Sequence, residues 1–216
     1  MARHAETTQS GEEIFSILAV CTGNICRSPQ LEQLLRERLP SALPDADPAT
    51  IEVSSAGTAA VVDAPMEPQA AAEAARLGVE DTEGHRARQL EPSQIERADL
   101  VIALAIEHRG DVVRVLPAAN HRTFTLIELT RVVEALAEGG LAQPVDPLGD
   151  DGAAAFLRRV VEAAAAARGL MPLGATKDID VPDPYGRSDK LFRRSADAVA
   201  EHADRLVTAI GALARR

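Results

Sequence analysis

Tryptophan is absent from this chain of 216 residues, and all aromatic residues together make up only 2% of it. A core built on stacked rings is therefore excluded, and Ala, Val, Leu and Ile must fill the interior. Cysteine is scarce too. The two present, Cys21 and Cys26, lie in one short stretch, so no disulfide framework holds the fold. Such usage suits a reducing compartment. No apolar run is long enough to span a bilayer, and Met1 to Glu13 is polar, without the apolar centre of a secretion signal. A cytoplasmic location is expected, with no membrane partner. The formal net charge of −10 argues against a general nucleic-acid binder. It still permits a local anion site, because bulk charge is screened over about 8 Å in physiological salt. His and carboxylate positions show no ligand spacing, so neither metal nor cofactor is expected.

What the chain does contain is one concentrated signal, C-T-G-N-I-C-R-S from Cys21 to Ser28. Ile14 to Val20 before it is an almost continuous apolar run, as in a strand buried on both faces. Pro29 and the helically spaced Leu31, Leu34, Leu35 and Leu39 after it announce a helix. The eight residues thus form a strand-to-helix loop. Successive amides and a helix N-terminus make such a loop an anion site. Gly23 and Asn24 are types that accept left-handed backbone angles. Cys21 and Arg27, five residues between them, can face one anion. A cysteine so placed is expected to act as a thiolate nucleophile, and Arg27 suits two oxygens of a phosphate.

C-T-G-N-I-C-R-S-P resembles the signature loop of the low-molecular-weight protein tyrosine phosphatase family. The resemblance implies a four-stranded parallel sheet with helices on both faces. It also implies phosphate-monoester hydrolysis through a phosphocysteine, with a phosphorylated protein or small phosphomonoester as partner. By the same resemblance Cys21 attacks phosphorus and Arg27 clamps the equatorial oxygens. Thr22, Gly23, Asn24, Ile25, Cys26 and Ser28 form the phosphate-binding loop, in which Asn24 braces the cradle and Ser28 eases thiolate departure. Cys26 is either a small loop filler or the partner of a reversible disulfide with Cys21. Thioredoxin-coupled arsenate reductases share the fold and a similar loop. A thiol-dependent arsenate reductase therefore stays open as an alternative, as does a non-enzymatic phosphate-binding module.

The rest of the chain alternates strands with helices, which predicts a doubly wound parallel α/β sheet with ligand at the strands' carboxyl ends. Residues 1–12 are expected to be a disordered leader and 13–216 one domain. Ile51–Ser54 reads as the second strand. Ala59–Ala64 follows it as a pocket wall in which Val61 and Val62 stand where relatives often carry an aromatic, which puts a strong phosphotyrosine preference in doubt. Glu67–Pro68 opens a helix that Gly78 ends. His85–Leu90 reads as a solvated basic turn, and His108 as a packing or capping residue. Ala98–Leu104 and Phe124–Leu126 read as strands three and four, with a helix over Ile106–Leu116 between them. Residues 130–177 read as an inserted helical arm, containing a helix over Gly152–Arg168, and Leu191–Leu213 as a long amphipathic terminal helix. The family places an acid in a D-P-aromatic loop before that helix, and Asp183-Pro184-Tyr185 matches it. Asp183 is expected to protonate the leaving group, worth roughly 10²–10⁴-fold, and Tyr185 to wall the pocket. Asp146-Pro147 has a similar form but lacks the aromatic and the following helix.

Overall fold

The computed structural model describes Thr7 and residues 13–44, 46–79, 82–141, 143–170 and 179–216. The expected leader therefore lies almost wholly outside the described residues. Four strands form one parallel sheet in the order β2-β1-β3-β4: β1 Phe15–Cys21, β2 Ile51–Gly57, β3 Leu100–Ala103 and β4 Thr123–Thr125. The helices are α1 Arg27–Ala42, α2 Pro68–Arg76, α3 Pro92–Arg97, α4 Ile106–Val115, α5 Leu126–Ala137, α6 Gly152–Ala167 and α7 Asp189–Ala214.

The continuous apolar strands are explained by burial on both faces. Along β1 the side chains alternate. Phe15, Ile17, Ala19 and Cys21 enter a large core shared with α1, α2, α5, α6 and α7, while Leu18 and Val20 enter a small one with Ile95 of α3 and Val112 of α4. With few rings available, the large core is mostly Leu, Val and Ala, and alanine stripes on α6 and α7 let helices approach closely.

The segment read as an inserted arm divides. Residues 130–137 are the last eight residues of α5, a helix that the sequence reading did not isolate. Thr125 and Glu128 cap it reciprocally, and Leu126, Leu129, Val132, Val133 and Leu136 are its buried face. α6 turns Phe156, Leu157, Val160 and Val161 into the main core. Arg158 within it and Arg168 just after it hold the strands' amino ends: Arg158 donates to Ile14 O and pairs with Asp99, and Arg168 stacks over Phe124 and donates to Thr123 O. Residues 171–177 lie outside the described residues. Among the described residues no helix is long and apolar enough to cross a membrane.

Candidate active site

β1 ends at Cys21 and α1 begins at Arg27, so the intervening residues bend at the carboxyl edge of the sheet. The carbonyls of the bend are all engaged, five by other segments and that of Cys26 by α1. Those of Cys21, Thr22 and Gly23 accept from the amides of Thr58, Ala59 and Val61 at 2.9–3.0 Å. Asn24 O accepts from His85 Nε2 at 2.7 Å, Ile25 O from Glu67 N at 2.8 Å and Cys26 O from Gln30 N at 3.4 Å. Among the described residues no peptide is cis, and in a trans peptide C=O and N–H point oppositely. Turning these six carbonyls outward turns the amides of residues 22–27 inward. The bend surrounds a hollow of about 170 Å³ lined by Cys21, Thr22, Gly23, Ile25, Cys26 and Arg27, with Ala59, Val61, Asp183 and Tyr185 at its walls. Thiol and guanidinium face the same space.

Asn24, not Gly23, takes the left-handed angle, with φ 55°. Its buried side chain braces the bend. Nδ2 donates to Ser28 Oγ at 2.9 Å and to Ser55 Oγ at 2.8 Å, while Oδ1 accepts Arg88 N–H at 2.8 Å. Ser55 in turn donates to Glu32 Oε2 at 2.5 Å. Because Ser28 Oγ already accepts from Asn24, its own proton is left for Cys21 Sγ, 3.0 Å away. Asn24 and Ser28 therefore support the hollow without lining it. A tight approach explains Gly57 at the end of β2: a Cβ there would lie 2.4 Å from Thr22 O and 3.0 Å from Asn24 N.

His85–Leu90 is no solvated turn. His85, Ala87 and Leu90 are buried, Arg88 O and Gln89 lie along Gly57 of β2, and the segment supplies two of the contacts that hold Asn24. Only Ala87 and Leu90, among the polar residues of that stretch, signalled the burial that sequence reasoning missed. Burial pushes the His85 imidazole below its ordinary value, with its bond to Asn24 opposing.

Asp183 reaches the hollow from a loop pinned just before it. Val181 N donates to Leu104 O at 2.9 Å, and Asp180 Oδ1 caps Ile106 N at 2.7 Å. Arg27 closes the arrangement, donating through Nη1 to Val181 O at 3.2 Å and pairing through Nη2 with Asp183 Oδ2 at 2.9 Å. Asp146 is elsewhere. Leu148, two residues on, is bonded to Ala214 at the far end of α7, a helix of 26 residues and thus about 39 Å long. Val61 and Tyr185 line the hollow, but Val62 is 58% exposed and does not. Ile25 and Ala59 complete an apolar wall. Cys26 is buried beside Cys21, both as free thiols. Burial first, then its neighbours Cys21, Glu67 and Asp183, pushes the Cys26 thiol up to about 12, so it stays protonated at neutral pH. His108, at the start of α4, is buried with Nε2 2.9 Å from Thr22 Oγ1, a contact spanning 86 residues that no local pattern signals.

Residues 16–172 match the family described as low molecular weight phosphotyrosine protein phosphatase. Asp183 lies beyond the matched span. A low molecular weight protein-tyrosine-phosphatase of Escherichia coli K12, Etp, is 42% identical over 108 residues, 50% of this chain and 66% of that one, just under two thirds of its length. A protein-arginine-phosphatase of Geobacillus stearothermophilus is 36% identical over 112 residues, 52% of this chain and 69% of that one. In three dimensions the chain is similar to the YwlE arginine phosphatase from Geobacillus stearothermophilus, with TM-score 0.59 and 26% identity over 89% of this chain and 90% of that one.

Proposed function

Since the chain belongs to the low molecular weight phosphotyrosine protein phosphatase family, we propose that it hydrolyses phosphomonoesters on phosphorylated proteins through a phosphocysteine at Cys21. The observation that carries this reading is the bend itself. Six outward carbonyls leave inward amides around a thiol and a guanidinium that share one hollow with Asp183. Fixed amides hold charge as it develops on the phosphoryl oxygens, without reorganisation at the moment of reaction.

In the first step the Cys21 thiolate forms the S–P bond while the P–O bond to the leaving group breaks and Asp183 gives that oxygen its proton. Asp183 is paired with Arg27 when no substrate is bound. A dianionic phosphoryl group competes for the guanidinium and frees the carboxyl. In the second step Asp183 takes a proton from water, whose oxygen attacks phosphorus as the S–P bond breaks. Ser28 steadies the departing thiolate. Ile25, Ala59, Val61 and Tyr185 offer an apolar wall that suits a phenyl ring, which supports phosphotyrosine as the side chain bound. Phosphoarginine is the second reading, favoured by the name of one relative.

Hydrolysis of an aryl phosphate and of phosphotyrosine and phosphoarginine peptides, with Cys21→Ser and Asp183→Asn variants alongside, tests the proposal. Turnover lost in Cys21→Ser, with a phosphoryl adduct trapped on Cys21 in rapidly quenched wild-type enzyme, supports it. Hydrolysis that survives Cys21→Ser sinks it. Arsenite release with an added thiol and no hydrolysis would indicate the reductase, and phosphate binding without either activity a sensing module.

A further inference from the structure

His108 stands in the first turn of α4, 1% exposed, with Nε2 bonded to Thr22 Oγ1. Its Nδ1 is buried and has no hydrogen-bond partner among the described residues. Burial, helped by the Arg27 charge, pushes the imidazole down to about 4, so at neutral pH the ring carries one N–H. Placed on Nδ1, that proton would be a buried donor without an acceptor, the rarer kind of orphan in folded proteins. Placed on Nε2, it is donated to Thr22 Oγ1, and only a lone pair is left unmet. The second arrangement makes Thr22 Oγ1 an acceptor toward His108 and leaves its own proton to point elsewhere. Thr22 lines the hollow beside Cys21, Arg27 and Asp183.

We infer that His108 is a positioning residue: it holds Thr22 Oγ1 from behind, so that the hydroxyl donates a hydrogen bond to an oxyanion seated in the loop. The inference rests on the phosphate-binding reading of that loop and adds one side-chain donor to its amides. Thr22 is thereby a binding residue through its hydroxyl and not only through its backbone, and a helix from the far side of the sheet takes part in the site.

The test is inorganic phosphate as a competitive inhibitor of aryl-phosphate hydrolysis by the full chain, in four variants. Thr22→Val and His108→Phe should each weaken phosphate about tenfold, as expected for one lost bond to a charged group. The double variant should be no weaker than Thr22→Val alone, because both remove the same bond. His108→Gln, whose amide N–H can replace Nε2–H, should recover most of the affinity. A packing role would instead lower the melting temperature of His108→Phe and leave phosphate inhibition at the wild-type value. An unchanged constant in Thr22→Val, or additive losses in the double variant, overturns the inference. If His108→Phe does not fold, Thr22→Val and His108→Gln carry the decision. A wild-type chain that neither hydrolyses aryl phosphate nor binds phosphate brings down the loop reading as well. Binding that ignores all these variants brings down only the role of His108 and Thr22.

Discussion

Adding one methyl group at Gly57 should damage both stability and catalysis, and the structure sets the scale. The Cβ of an alanine would stand 2.4 Å from Thr22 O, 3.0 Å from Asn24 N and 3.1 Å from Ala60 Cα. Carbon and oxygen in favourable contact are about 3.3–3.6 Å apart, so Thr22 O must retreat by roughly 0.9 Å on that scale. All three neighbours are backbone, and Thr22 O is also held by Ala59 N at 3.0 Å. No side chain can rotate away to absorb the shift. Overpacking of this kind costs about 1–3 kcal/mol, or roughly 2–12 °C of melting temperature for a chain of this size. Displacing the loop by nearly 1 Å from its reacting geometry can cost about 10²-fold in rate. Thermal melts and kcat/KM for an aryl phosphate read the two losses. Gly78→Ala is the control. Its φ is +91° and nothing lies within 4 Å of the added carbon, so it should cost about 1–2 kcal/mol of left-handed strain and leave kcat/KM alone. Gly57→Ala with wild-type melting and activity would refute the close-approach reasoning.

Asp183→Asn should lower aryl-phosphate turnover by about 10²–10⁴-fold, while Asp146→Asn, at the opposite end of α7, should stay within a factor of two as measured by kcat. Arg27→Lys keeps the charge but cannot serve Val181 O and Asp183 together with two forked donors; kcat/KM should fall by at least about 10²-fold, since the planar fork is what matches a phosphate. Acid should destabilise the fold through His108. Its imidazole titrates near 6.5 when unfolded and near 4 when folded. Between those values the unfolded chain binds more protons, so stability is lost as pH falls below about 6.5. The loss is about 2 kcal/mol at pH 5. Melting temperatures at pH 7 and pH 5 should therefore differ less in His108→Gln than in the wild type.

The strands were legible because burial on both faces leaves no polar alternation to confuse them: Phe15–Cys21 and Leu100–Ala103 lie within a residue or two of the apolar runs. The strand expected at Phe124–Leu126 is Thr123–Thr125, and Leu126 instead opens α5. The Thr125–Glu128 capping pair was the available sign of that helix, as Glu91 and Gln94 were for α3. Cys21 and Arg27 were legible because the proposed chemistry needs them on one short loop. His85 and His108 were not, since each acts across more than sixty residues.

Local order along the chain was enough to determine a strand, a tight bend and a helix in succession, since those depend on neighbours within a few residues. Which carbonyls face outward, which aspartate meets Arg27, and which imidazole stands behind Thr22 were decided only when distant segments packed together. A hydrogen bond between residues far apart in sequence leaves no periodic trace, and the long α7 separates two similar Asp-Pro turns that read almost alike on the page.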